Sequence, residues 1–218
     1  ILRRVGETEF VGYEHLSAES TIVGLVRDGA EVPALAAGEE GQLIVGRSPF
    51  YSERGGQVGD AGEILDARGT LLATISDTQR PVGALTVHTL RAAAPLNVGD
   101  AVVMRVDSVR RAATMRNHTA THVLHRAIRI VAGADAKQRG SLVHPDYLRF
   151  DYPLDRPLTR DERDQTEAEV RRAIREDMAV VVAHMSMSEA VEAGADAFFD
   201  EKYGEVVRTV RMEDYSHE

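Results

Sequence analysis

The segment Asn117-His118-Thr119-Ala120-Thr121-His122-Val123-Leu124-His125 holds the densest potential chemistry in the chain. His118 and His122 are four residues apart, so a helix presents both imidazoles on one face, where they can pinch one metal ion. Two imidazoles supply only half of the usual four-coordinate shell. The zincin motif needs Glu directly after its first His; Thr119 stands there, so that chemistry is excluded. His125 lies near the same face. The same spacing also suits ordinary surface or core histidines, and both readings stay open on these residues alone.

A second cluster is Pro49-Phe50-Tyr51-Ser52-Glu53-Arg54-Gly55-Gly56-Gln57-Val58-Gly59-Asp60. Paired glycines allow a sharp bend or the close approach of a ligand. Gln57 can orient a water or a carbonyl with both halves of its amide. A Gly-rich hairpin with a structural Gln is the alternative. The Lys-Ser/Thr ending of a phosphate-binding loop is absent. A third set is basic: Arg105, Arg110, Arg111, Arg116, Arg126 and Arg129, then Lys137 and Arg139, a set able to position phosphates or to form a solvated face.

The composition narrows the chemistry. The 218 residues contain no cysteine, which excludes disulfides, thiolate metal sites and a thiol nucleophile within this chain. Hydrophobic residues at 43% and charged residues at 28% suit a folded globular chain. The net charge of −9 argues against a basic coat over the whole surface. Charge is uneven, however. Residues 101–150 carry 9 Lys/Arg against 3 Asp/Glu, whereas both flanks are acidic, so a polyanion should dock in the middle segment. No stretch reaches transmembrane length and no signal-like apolar run exists, so no membrane partner is expected. The opening Ile1-Leu2-Arg3-Arg4 lacks an initiator Met, and Glu213–Glu218 shows no terminating element; a cytoplasmic piece of a larger chain is the expectation.

The elements that must position these residues change character along the chain. Short β-branched runs at Ser20–Val26, Gln42–Val45, Gly62–Leu65, Leu71–Ile75, Ala84–His88 and Ala101–Val106, punctuated by Gly and Asp, predict a small barrel or sandwich over 1–106. From 107 the pattern turns helical. Asp107 caps a helix from about Val109 to Val131, closed by Gly133. Strands follow at Ser141–Val143 and Tyr147–Tyr152. Thr159 and Glu162 form a capping box opening a helix through Asp177, with Ala168, Val170, Ala173 and Ile174 available to its buried side. Ala179–Ala183 reads as a buried strand, Ser186 and Glu189 as a second capping box stopped by Gly194, and Val206–Met212 as a last strand. Met185, Met187 and Met212 read as core fillers. The fold class is α+β: a small N-terminal β-barrel-like unit, then an α+β core over 107–218 with long helices and an antiparallel sheet.

Taken together, these segments resemble the editing region of alanyl-tRNA synthetase, in order and over essentially the whole chain. Phe10-Val11-Gly12-Tyr13-Glu14 is similar to its opening. Ser48 through Asp60 resembles a Thr-Pro-Phe-Tyr stretch leading into Gly-Gly-Gln-x-Gly-Asp, with Ser48 in place of the Thr. Val106-Asp107-x-x-Arg110-Arg111 through Arg116-Asn117-His118-Thr119-Ala120-Thr121-His122 resembles the metal-binding helix. Gln138-x-Gly140-Ser141-Leu142-Val143, Leu148–Asp151, Gly194–Gly204 and Val207-Arg208 match as well. Asp200 and Glu213 stand where the family has Gly.

The resemblance implies hydrolysis of the ester in Ser-tRNA(Ala) and Gly-tRNA(Ala), within a parent that ligates alanine to tRNA using ATP. It implies zinc held by His118 and His122, with a Cys and a His of a following Leu-Cys-Gly-Gly-Thr-His segment completing the shell. That segment would lie just past Glu218, so the isolated chain is expected to edit poorly. Gln57 is implied near the substrate or water, with Ser48 and Thr119 as candidates for the seryl hydroxyl. Arg111, Lys137 and Arg139 are candidates for the acceptor end of tRNA(Ala). The partners implied are that tRNA, its mischarged ester and the rest of the synthetase. A free-standing alanyl-tRNA editing protein and a non-catalytic tRNA-binding or spacer module are the alternatives. Threonyl-tRNA synthetase shares the His-x-x-x-His core but fits the Gly-Gly-Gln loop less well.

Overall fold

The computed structural model describes residues 6–133, 136–195 and 206–217. The motif residues Ala197–Gly204, with Asp200, the opening Ile1–Arg4 and the terminal Glu218 lie outside them. The chain divides into two compact units, Ile1–Met115 with Leu142–Tyr147, and Arg116–Ser141 with Leu148–Glu218.

In the first unit the strands are β1 (Glu9–Phe10), β2 (Ser17–Arg27), β3 (Ala30–Val32), β4 (Ala34–Leu35), β5 (Glu40–Val45), β6 (Arg47–Ser48), β7 (Gly62–Leu65), β8 (Leu71–Val82), β9 (Leu85–Ala92), β10 (Leu96–Asn97) and β11 (Ala101–Val106). Six of them pair in the order β11-β7-β8-β9-β5-β2, and β2 pairs back to β11, which closes an antiparallel barrel; β3 adds to β2 outside the ring. Closure removes the exposed edges that an open sheet would carry. β11 alternates as period-2 strands do: Val102, Met104 and Val106 point inward and Ala101 and Arg105 outward. The interior is filled by Ile22, Leu25, Leu43, Phe50, Ile64, Ile75 and Leu90, all nearly without solvent contact. Gly62 permits one close approach, because a Cβ there would lie 2.2 Å from the Arg105 carbonyl oxygen. The barrel expected from the β-branched runs is present, with β8 and β9 longer than the apolar runs themselves.

A 25-residue helix, α1 (Ser108–Ala132), follows. Asp107 caps it as expected: the Arg110 amide donates to Asp107 Oδ1 at 2.9 Å. Gly133 ends it with φ +106°, its amide donating to the Arg129 carbonyl at 3.1 Å.

The second unit contains the later turns of α1, then α2 (Arg160–Arg175), α3 (Met187–Glu192) and a sheet of β14 (Val180–Ser186), β15 (Val206–Met212) and β16 (Ser216–His217). The short strands β12 (Gly140–Val143) and β13 (Leu148–Asp151) precede α2. Both expected capping boxes are formed, Thr159 with Glu162 and Ser186 with Glu189. Its core is small: Val123, Ala173 and Met212, with Val170, Met178 and Tyr215 packed beside them. None of the described helices is long and apolar enough to cross a membrane.

Several readings are corrected. β14 is not a buried strand: Val180, Val181 and Val182 are all exposed, because the sheet places this β-branched run at its edge. Helix α2 stops at Arg175, before Asp177 takes φ +49°. Of its four apolar candidates, Ala173 is buried and Val170 half-buried, while Ala168 and Ile174 face solvent. β16 pairs with β15 through Arg211 opposite His217 and Met212 opposite Ser216, a strand too short and polar to show an alternating pattern.

Candidate functional site

The Ser48–Asp60 segment is held inside the first unit from both ends. At its start, Ser48 Oγ lies 2.8 Å from His88 Nε2, and His88 Nδ1 lies 3.1 Å from the Leu43 carbonyl oxygen. A carbonyl only accepts, so Nδ1 carries the proton; Nε2 of the neutral ring then accepts from the Ser48 hydroxyl. The same Oγ accepts the Phe50 amide at 3.1 Å. Both side chains are fully buried, and burial pushes His88 down to about 4 despite the bond to Leu43. The Phe50 ring meets the imidazole edge-on at 5.3 Å.

At its other end, Asp60 accepts the Tyr51 amide at 2.7 Å and the Arg111 Nε at 2.9 and 3.0 Å, with Arg111 Nη2 also on the carboxylate. Arg111 Nη1 donates to the Gly12 carbonyl at 2.7 Å and Nη2 to that of Pro49 at 2.9 Å. Backbone bonds complete the frame. The Asp60 amide donates to Tyr51 O at 2.9 Å, and the Thr78 hydroxyl to Asp60 O at 2.9 Å. Gly59 fits only without a side chain, since a Cβ would sit 2.2 Å from the Thr78 oxygen.

Between these anchors, Gly55 and Gly56 take φ +60° and +85° and turn the chain tightly. The amides and carbonyls of Arg54 and Gln57 pair at 3.1 Å in both directions. Gly56 O accepts from the Val143 amide at 2.8 Å, and the Val58 amide donates to Val143 O at 3.1 Å. Gln57 is thus a buried residue on a backbone tied on both sides.

In the second unit, His118 and His122 stand on one face of α1. Their rings stack at 5.2 Å with 22° between planes, and both are half-buried. His125 departs from that face: it is 1% exposed and packs on Phe150 at 5.0 Å. Thr121 is buried, its hydroxyl donating to the Asn117 carbonyl one turn back at 2.8 Å, while Thr119 is half-buried. Lys137 and Arg139 are exposed, and the Arg139 amide donates to Asp151 O at 2.8 Å. Imidazoles at this spacing suit zinc in donor type, and the pair fits as half of a shell. Among the described residues, no group of three or more His, Asp or Glu gathers to form a fuller one.

Two sequence expectations change with this geometry. Arg111 is not an RNA-facing residue: it is 8% exposed and its donors are used on Asp60, Gly12 and Pro49. Ser48 has no solvent contact, and its hydroxyl is spent on His88 and Phe50. Sequence reasoning assigned no role to Asp60 or His88. The Arg-to-carboxylate partnership spans 51 residues, and His88 sits in a strand stretch buried at every position from Leu85 to His88, so periodicity did not single it out.

The family model described as class II (A) tRNA synthetases matches residues 2–110. The chain is similar to the alanine-tRNA ligase of Rhodopseudomonas palustris, at 46% identity over 96% of this chain and 23% of that protein. It is 45% identical to the Acidithiobacillus ferridurans alanine-tRNA ligase over 99% of this chain and 24% of the relative. For the Myxococcus xanthus alanine-tRNA ligase the figures are 43%, 100% and 25%. The chain therefore spans about a quarter of the length of the curated relatives it matches. Half of the sequence fits one family and nearly all of it aligns with these ligases, so the chain belongs to the class II (A) tRNA synthetases and corresponds to a region of the alanine-tRNA ligases.

Proposed function

We propose that this region edits: it hydrolyses the ester linking serine or glycine to tRNA(Ala), within a protein that ligates alanine to that tRNA. The observation that carries the reading is the His118–His122 pair, stacked on one face of an unbroken helix. A binding pocket for alanine discriminates poorly against one missing methyl or one added hydroxyl, so a second, hydrolytic site is needed.

His118 and His122 are the residues that would hold zinc, with further ligands completing the shell. Zinc, when bound, supplies a Lewis acid that polarises an ester carbonyl or a water. Gln57 contributes an amide that can donate to one oxygen and accept from another, on a backbone that holds its position. Of the two hydroxyl candidates, Thr119 is the one proposed to meet the seryl hydroxyl, since that of Ser48 is engaged internally. Lys137 and Arg139, both exposed, are proposed to meet phosphates of the acceptor end. Arg111 instead braces the Gln57 loop.

The test is deacylation of Ser-tRNA(Ala), Gly-tRNA(Ala) and Ala-tRNA(Ala) side by side by a full-length alanine-tRNA ligase carrying this sequence in its matching region. Editing predicts faster loss of the first two esters than of the third. Equal binding of charged and uncharged tRNA with no hydrolysis would replace this reading with that of a tRNA-positioning module.

A further inference from the structure

The neck of the Gln57 loop is closed by one residue of β8. The Thr78 carbonyl accepts the Glu53 amide at 2.9 Å, and its hydroxyl donates to Asp60 O, also at 2.9 Å. Beyond that neck lies the tip, residues 54–59. Gly55 and Gly56 stand directly before Gln57, both at positive φ, and paired glycines make the most permissive backbone a chain can offer. The reciprocal bonds of Arg54 and Gln57 close the turn on itself. They shape the tip, but being internal to it they give it no fixed place on the barrel.

Val143 supplies that place. Its amide donates to Gly56 O at 2.8 Å and its carbonyl accepts from the Val58 amide at 3.1 Å, so its two peptide groups bracket Gln57 in a parallel bridge. Val143 is buried and belongs to Leu142–Tyr147, which is part of the first unit while the chain before and after it is part of the second. A tight turn follows at once. The His144 amide donates to Tyr147 O at 2.9 Å, the His144 ring stacks on Tyr147 at 4.8 Å, and His144 Nδ1 accepts from the Asp146 amide at 3.3 Å. At the far end of the same hairpin the Arg139 amide donates to Asp151 O at 2.8 Å. A hairpin bonded at both ends thus holds a glycine-rich loop that could not hold itself.

We propose that Val143 is a positioning residue for the ester hydrolysis, holding the Gln57 side-chain amide in place through the backbone of Gly56 and Val58. The inference rests on the editing reading and adds to it a residue that touches no substrate. Misplacing a reacting group by about 1 Å can cost on the order of a hundredfold in rate, so a loop this pliant needs an outside support. The support comes from the two peptide groups of Val143, not from its side chain.

The first measurement is amide hydrogen exchange on the 218-residue chain. The Val58 and Val143 amides should be protected; both exchanging as fast as an open turn would overturn the proposal with no variant needed. Val143→Pro removes the donor to Gly56, an amide used on the loop rather than on β13, and should speed exchange across residues 54–58. Val58→Pro removes the second bond from the loop side and carries the test if V143P melts below the parent. The second measurement is Ser-tRNA(Ala) hydrolysis by a full-length alanine-tRNA ligase carrying this sequence in its matching region. V143P should lower kcat about tenfold or more at an unchanged KM, and V143A, which keeps both backbone bonds, should fall between it and the parent. In a Gln57→Ala background V143P should cost nothing further, because the group it positions is gone. V143P as active as V143A, or equally damaging with and without Gln57, would overturn the proposal. Absent hydrolysis by the parent, with Val58 and Val143 protected, would sink the editing reading and the hydrolytic role with it, while the clamp on the loop would stand.

Discussion

Arg111 and Asp60 form a buried ion pair, with Arg111 Nε 2.9 and 3.0 Å from the two carboxylate oxygens. It joins the first turns of α1 to the end of the Gln57 loop. Because the same guanidinium caps the carbonyls of Gly12 and Pro49, three stretches distant in sequence meet on one side chain.

Removing either partner leaves the other charged and buried, at a cost of about 3–5 kcal/mol. Arg111→Ala and Asp60→Ala should both lower the urea midpoint sharply. Arg111→Lys should not rescue, because an ammonium cannot reproduce the guanidinium fork. The exposed Lys137→Ala and Arg139→Ala should stay within about 0.5 kcal/mol of the parent chain. An Arg111→Ala variant that melts like the parent would refute the brace.

His88 gives the first unit an acid limit. Its folded pKa is lowered to about 4 from an ordinary 6.5, chiefly by burial. Below 6.5 the unfolded chain takes up the proton and the folded one does not, so folding stability falls as pH falls. The contribution is fully present above 6.5 and is lost progressively down to about 4, a change of roughly 3 kcal/mol. Urea melts between pH 7 and 4 should show this slope, reduced in His88→Gln. An identical slope in that variant would place its origin in other groups.

Two glycines of the same loop should respond differently to Ala. Gly59→Ala drives a Cβ to 2.2 Å from a backbone oxygen, which forces the main chain to move. Gly55→Ala meets open space and only the strain of φ +60°, about 1–3 kcal/mol. Gly59→Ala should therefore be the more damaging in thermal melts; the reverse order would contradict the packing around Thr78.

Zinc should bind through the helical pair. Either His118→Ala or His122→Ala should weaken zinc affinity at least tenfold in a competition titration with a chromophoric chelator, while leaving the melting of the first unit unchanged. His125→Ala should instead destabilise the second unit, since His125 packs on Phe150 in its interior. Zinc affinity indifferent to both His118 and His122 would remove the metal assignment.

Much of the fold was legible in the sequence. β7 and β11 coincide with their apolar runs, and Asp107, Gly133, Thr159 and Ser186 act as the caps their types suggest. Such signals are local and need no knowledge of distant contacts. What stayed hidden is set by long-range packing. A valine run reads as buried whether it lies in a sheet's centre or, as at Val180–Val182, at its edge. Arg111 and Lys137 look alike as basic residues, and only the placement of Asp60 separates a brace from an exposed cation. Ser48 kept the hydroxyl the resemblance led one to seek, but its side-chain bond to His88 joins residues 40 apart in sequence, which no local pattern reveals.

The central claim is hydrolysis that depends on the helical histidines. It is tested most directly in a full-length alanine-tRNA ligase carrying this 218-residue sequence in its matching region, by measuring Ser-tRNA(Ala) accumulated during serine mischarging. His118→Ala should raise the accumulated ester at least tenfold while alanine attachment proceeds at the parent rate. Equal accumulation in parent and variant, with both folded, would contradict the editing assignment.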